Sequence, residues 1–267
     1  MNVSIRKICA VLNIHRSNVY YQERKRTKKQ KQEDWLIQEI WSIIEKQPWM
    51  GVRRITAVLR RKLNKSINRK RIHRIIKEQG WQCVQKPKGK RPRASGLRSE
   101  TPIINARWAI DTTHIFTARD GWCHVTAVID CCDRYLVGWR FSKSGKANVA
   151  AGAVEDAFIT QGLKPPEQGL VIRSDNGLVF GSKRFQETVR RYNLIQEYIT
   201  PYTPEQNGMI ERFFRTMKEE CIWQYNFKTF DEAYSIIDDW MKNYNTKRIH
   251  SALGYRTPAE VRQELAA

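Results

Sequence analysis

Apolar positions follow two regimes along the 267 residues, and the change between them divides the chain. Before residue 84 they recur at helical spacing. Ile5, Ile8, Cys9 and Leu12 share one stripe behind Ser4, a capping residue, so the pattern over 4–24 predicts two short helices about a turn near Asn13, the size of a helix-turn-helix. A basic stretch over 25–31 reads as a link. Trp35, Leu36, Ile40, Ile43 and Ile44 then mark one helix, Val52, Ile55, Val58, Leu59 and Leu63 a second, and Ile67, Ile72, Ile75 and Ile76 a third that stops at Gly80.

Residues 85–100 are rich in Pro, Gly and charge with one large apolar residue, and predict a linker that packs no core. From Asn105 the period changes to that of strands. Residues 107–117, 122–130 and 135–141 predict an antiparallel meander, the first turn carrying Asp120-Gly121 and the second Asp133-Arg134. A helix over 146–161, a buried strand over 170–173, a helix near 182–192 and a strand near 194–199 follow. The helix after Asn207-Gly208 presents Ile210, Phe213, Phe214 and Met217. Two capping boxes, Thr229 with Glu232 and Thr257 with Glu260, open the last two helices. Three antiparallel strands followed by alternating helices and strands give an α/β class: a mixed five-stranded sheet with helices on both faces, in the order of the ribonuclease H-like fold, behind an all-helical front.

Charge separates the same two parts. Of 48 Lys and Arg, 27 lie in the first 100 residues with only 7 acidic residues; the remainder holds 21 basic and 20 acidic. A net +21 on a chain that is 41% hydrophobic excludes a basic disordered tail and points to a polyanion partner. The helix after Asn68 carries Arg69, Lys70, Arg71, Arg74 and Lys77 around its apolar stripe, the composition of a recognition helix, and Arg53 and Arg54 precede it. Six cysteines show no zinc or disulfide spacing, and no apolar run of spanning length occurs, so the expected location is cytoplasmic.

Three carboxylates stand where chemistry can use them. Asp111 interrupts the apolar strand Trp-Ala-Ile-Asp on the face opposite Trp108 and Ile110, Asp175 follows the strand at 170–173, and Glu211 lies in the first turn of a helix. A carboxylate inside an apolar strand needs a compensating partner, and a hard divalent cation takes oxygen ligands of this kind. Each also has a plainer reading: Asp111 paired with a core arginine, Asp175 as a turn former, Glu211 favoured by the helix dipole. Asp130 and Asp133 compete with Asp111 but flank Cys131-Cys132 at a strand end, as turn residues do.

The 35 residues between Asp175 and Glu211 resemble the DD(35)E signature of retroviral-type integrases and the bacterial insertion-sequence transposases related to them. The surrounding words match: Trp108-Ala-Ile-Asp111, Arg173-Ser-Asp175-Asn-Gly177 with Phe180, Pro201-Tyr-Thr-Pro204-Glu-Gln-Asn207-Gly208, Glu211-Arg-Phe-Phe-Arg-Thr-Met-Lys218 and the closing His250-Ser-Ala-Leu-Gly-Tyr-Arg-Thr-Pro258. The stretch from Gly51 to Gly80 is similar to the helix-turn-helix preceding this core in second-frame proteins of such elements. The resemblance implies DNA cleavage at element ends and joining of the 3′ hydroxyl to target DNA, with Asp111, Asp175 and Glu211 as catalytic residues and ligands of Mg²⁺ or Mn²⁺. It implies double-stranded DNA contacts from Tyr202, Asn207, Arg212, Arg215 and Lys218 as well as the basic front, and a homo-oligomer on DNA. It also implies an upstream-frame helix-turn-helix protein as partner, or a frameshift fusion with it, and a bacterial cell with association at its nucleoid. A ribonuclease H-type nuclease and a catalytically idle DNA-binding regulator are the rival readings. The expected domains are a helix-turn-helix-like segment at 1–30, a helical DNA-binding domain at 31–84, a basic linker at 85–104, the catalytic core at 105–225 and a helical extension at 226–267.

Overall fold

The computed structural model describes residues 4–83, 101–164, 169–200 and 203–267, with side chains outside 18–32 and 204–205. Most of the expected linker, and Tyr202, lie outside the described residues. The chain divides into two compact units, Met1–Lys86 and Pro87–Ala267.

The first unit contains α1 (Ile5–Val11), α2 (Arg16–Lys46), α3 (Val52–Leu63) and α4 (Arg69–Glu78). Side-chain oxygens cap α1 and α4: Ser4 accepts from the Lys7 N–H and Asn68 from that of Lys70. Gly80, at φ +70°, supplies the left-handed residue that ends the last turn. Leu36, Ile40, Met50, Ile55, Leu59, Ile72, Ile75 and Ile76 form the core, so α2, α3 and α4 meet along the stripes that their spacing predicts. Two expectations change. The basic stretch at 25–31 is no link, because α2 runs through it without a break; it lacks apolar periodicity, but Lys, Arg and Gln sustain a helix and no Gly or Pro occurs over 16–46. The α1 stripe is also largely exposed, with only Cys9 buried in that helix.

In the second unit, β1 (Arg107–Thr117), β2 (Gly121–Asp130) and β3 (Leu136–Ser142) form the meander, and α5 (Ala147–Gln161) leads to β4 (Leu170–Ser174). The short α6 (Leu178–Gly181), α7 (Lys183–Arg191) and β5 (Leu194–Tyr198) follow. A 3-10 turn at Pro204–Asn207 leads into α8 (Gly208–Glu220), and α9 (Phe230–Thr246) and α10 (Pro258–Ala266) end the chain. The strand order is β3-β2-β1-β4-β5, antiparallel across the meander and parallel from β1 to β5. This is the mixed sheet of the ribonuclease H-like fold.

Strand alternation sends alternate residues to two cores. Trp108, Ile110, Val128 and Ile172 meet the alanines of α5 and Phe180 and Phe185 on one face; Ala109, Val125, Ala127 and Ile129 meet Ile210, Phe213 and Met217 of α8 and Ile237 and Met241 of α9 on the other. Close approach of α5 requires Gly138 on β3, where a Cβ would stand 2.4 Å from the Ala153 carbonyl oxygen. The capping box at Thr257 is complete. At Thr229 only half of one forms: its side chain accepts the Glu232 N–H, while the Glu232 carboxylate accepts from Lys228 instead.

Asp130 and Asp133 shape their turn, but they also anchor α10. Both are fully buried, and the Arg262 guanidinium reaches Asp130 at 2.6 Å, Asp133 at 2.7 Å and the Gln161 side chain at 2.5 Å. Its plane lies 4.3 Å from the Tyr135 ring centroid. Arg262→Met leaves two buried carboxylates without their cation and should cost about 3–5 kcal/mol in urea unfolding of the full chain. Arg140→Met, which breaks a half-exposed pair with Asp156, should cost about 1 kcal/mol or less.

Candidate active site

Asp111 sits in β1 opposite Ala127 of β2, on the face that α8 covers. Its Oδ1 accepts the Thr112 N–H at 2.7 Å. On the other side β1 pairs with β4 up to Ala109 opposite Arg173; continuing that parallel register by two residues sets position 111 across from 175. Asp175 itself follows β4 and folds the turn, its Oδ1 accepting the Gly177 N–H at 2.9 Å. Glu211, exposed, occupies the first turn of α8.

The electrostatics tie the three together. Burial, partly offset by the Thr112 hydrogen bond, pushes the Asp111 carboxyl up to about 7, with the negative charges of Asp175 and Glu211 adding to the rise and Lys218 opposing it. Charges from a strand end and one helix thus bear on the carboxyl of the central strand. Among the described residues, no three His, Cys, Asp or Glu side chains are drawn together closely enough to hold a metal ion. The donor set suits a hard cation all the same: carboxylate oxygens only, one of them strongly disfavoured as an uncompensated anion.

The competing acid is already engaged. Asp130 accepts from the Asn105 and Cys132 N–H groups at 2.7 and 2.8 Å as well as from Arg262, which commits both of its oxygens to the protein. His114 is exposed and His124 half-buried; they stand opposite each other on β1 and β2 with ring centroids 4.7 Å apart. All six cysteines are free thiols.

Of the expected DNA contacts near the site, Arg212 and Arg215 are exposed, Arg215 pairing with Glu219 at 2.8 Å, and Lys218 is half-buried. Asn207 is different. It is 2% exposed, with Oδ1 buried and unbonded, which places it inside the protein as the residue before α8 and not on a DNA-facing surface. In the first unit Arg53, Arg69, Lys70, Arg74 and Lys77 are exposed; Arg54 donates to the Trp49 carbonyl, and Arg71 and Arg74 pair with Glu33 of α2. The basic front therefore has acidic compensation that linear spacing conceals, since Glu33 precedes Arg74 by 41 residues. Nothing local marks Arg262 or Glu197 as partners of distant charges either.

Comparison with known families agrees with this geometry. Residues 102–204 and 192–258 each match a model of an integrase core domain, and residues 28–89 match an HTH-like domain. A transposase for insertion sequence element IS904 from Lactococcus lactis subsp. lactis is 33% identical over 158 residues, 58% of this chain and 60% of that one. The transposase InsD for insertion element IS2A/D/F/H/I/K from Escherichia coli is 29% identical over 237 residues, 85% of this chain and 78% of that one. Among solved structures, a chain of the simian T-cell lymphotropic virus intasome in complex with PP2A regulatory subunit B56 gamma shares the fold, with a TM-score of 0.52 and 17% identity over 79% of this chain and 70% of that one. The matched domains and the sheet order lead to one conclusion: the chain carries an insertion-element-type DDE transposase/integrase catalytic core and an HTH-like domain ahead of it.

Proposed function

We propose that this chain cleaves DNA at the ends of an insertion element and joins the 3′ hydroxyl to target DNA, with Asp111, Asp175 and Glu211 as the residues that hold Mg²⁺ or Mn²⁺. The observation that carries the assignment is the register that sets Asp111 of β1 across from Asp175 after β4 inside an integrase core, where burial and the charges of Asp175 and Glu211 together push the Asp111 carboxyl up to about 7. When bound, a divalent cation polarises a phosphodiester and lowers the pKa of the attacking hydroxyl or water. Asp111 and Asp175 approach from adjacent parallel strands and Glu211 from a helix, so the ligands are carried by elements that packing already orients. Lys218 places a positive charge toward Asp111 and, with Arg212 and Arg215 on the same helix, offsets the repulsion that clustered carboxylates exert on DNA phosphates. Ser174 is no nucleophile in this scheme; its hydroxyl donates to the Asp175 carbonyl.

The first unit supplies sequence-independent affinity through phosphate contacts from exposed residues of α3 and α4, and the basic residues around the apolar stripe of α4 support its role as the reading helix. Joining two element ends requires at least two active sites, which implies a homo-oligomer on DNA. An upstream-frame partner or fusion adds a further source of end recognition.

Glu211→Gln and Asp175→Asn should lower strand joining by orders of magnitude while gel-shift affinity for end DNA is kept; joining at the wild-type rate by Glu211→Gln would return Glu211 to an ordinary first-turn glutamate. Asp111 gives a pH signature. Folded chain keeps the proton up to about pH 7 while unfolded chain releases it near the ordinary value of about 3.9, so its contribution to stability is full at low pH and lost as pH rises through 7. In metal-free buffer Asp111→Asn should therefore match the wild-type Tm near pH 4 and exceed it by a few degrees at pH 8. Finally, replacing Arg69 and Lys70 together by Gln in the full chain should flatten the log–log salt dependence of DNA binding by about 0.9 for each phosphate that the variant no longer neutralises.

A further inference from the structure

Two residues before Asp175, Arg173 is 4% exposed, and its guanidinium points to the side of the sheet covered by α8. Its hydrogen bonds reach two separate segments. Nε and Nη2 take the two carboxylate oxygens of Glu197 on β5 at 3.2 and 2.8 Å, and Nη1 donates at 2.8 Å to the backbone carbonyl of Gln206, in the turn that leads into α8. Gln206 in turn closes the loop after β5: its Oε1 accepts the Thr200 N–H at 2.8 Å and its Nε2 donates to the Thr200 hydroxyl at 3.1 Å. The strand end bearing Asp175 is tied to the same loop, since Asn176 donates to the Ile199 carbonyl at 2.9 Å. Glu197 also forms an ion pair with Arg107 at the start of β1, at 3.3 Å.

A buried guanidinium paired with a half-buried carboxylate is a poor device for stability, because an apolar side chain in place of the arginine would fill the space at no desolvation cost. What it supplies is direction. The planar fork holds Glu197 along one edge and leaves another N–H aimed at one carbonyl, a geometry that a lysine ammonium does not reproduce. The carbonyl it grips lies five residues before Glu211, and the intervening Asn207 is buried at the head of the helix.

We infer that Arg173, braced by Glu197, is a positioning residue that sets the start of α8, and so the Glu211 carboxylate, against Asp175 and Asp111. The inference rests on the reading of those three as the cation site. It accounts for the cost of keeping a charge inside the sheet next to a helix whose first turn must present a ligand, and it assigns β5, which carries none of the three acids, a part in the site through Glu197.

The experiment compares full-length wild type, Arg173→Lys, Glu197→Gln and Asp175→Asn by the Tm shift that Mg²⁺ produces, by the Mg²⁺ concentration that half-saturates strand joining, and by end-DNA affinity in EDTA. Loss of an outer hydrogen-bonding partner typically weakens metal affinity about 10- to 100-fold. Arg173→Lys should shift half-saturation upward by that order and shrink the Mg²⁺-induced Tm rise, with DNA affinity in EDTA unchanged. Glu197→Gln, which keeps one acceptor for the fork, should show a smaller shift in the same direction and serves as the reporter should the lysine variant fold poorly. Wild-type Mg²⁺ responses in both variants, with Asp175→Asn unresponsive, would overturn the positioning role and leave the cation site standing. An Asp175→Asn chain that still gains stability from Mg²⁺ as wild type does would overturn the cation site and the positioning role with it.

Discussion

A carboxylate set inside the central strand of a buried sheet is the constraint around which this core is arranged. β1 has neighbours on both edges, β2 antiparallel and β4 parallel, and Asp111 faces α8 from within it. Burial alone drives its carboxyl toward the neutral form. Instead of a neutralising arginine, the fold brings it the charges of Asp175 and Glu211, which intensify the penalty. Such an arrangement costs stability, and within the described residues Lys218 is the positive charge that opposes it.

Elsewhere the same core compensates its buried acids from within. Asp130 and Asp133 receive Arg262 from the last helix, and Glu220 of α8 receives Arg248 through both carboxylate oxygens at 2.8 Å. Glu197 receives Arg173. Each of these arginines joins segments far apart in sequence, so each fixes an orientation as well as a charge. Asp111 differs from those acids in that the charges of Asp175 and Glu211 add to its burial instead of offsetting it.

The helical unit shows the corresponding economy with cations. Its apolar core is small and built from the stripes of three helices, and its surface carries the excess of Lys and Arg. Glu33 on the long α2 pairs with Arg71 and with Arg74, which stays exposed as Arg69, Lys70 and Lys77 do along α4. Part of the positive charge of α4 is therefore balanced from another helix, which the composition of α4 alone does not show.

Local pattern was enough for most of the secondary structure and for the choice of the three acids as candidates. Period-2 alternation located β1 and its neighbours within a residue or so, caps such as Asn68 and Thr257 marked where helices begin, and the separation of Asp175 from Glu211 singled them out before any coordinate was known. These features depend on interactions within a few residues, or on a spacing that the chain displays directly. Continuity of α2 was harder to read, because a run of Lys, Arg and Gln carries no apolar period although nothing in it breaks a helix. Tertiary structure alone decided which charges meet: Glu33 with Arg74, Arg262 with Asp130, Arg173 with Glu197 and the Gln206 carbonyl, and the burial of Asn207. Those pairings arise when strand order and helix packing bring remote segments together, and a side chain's partner across the fold leaves no trace in the residues beside it.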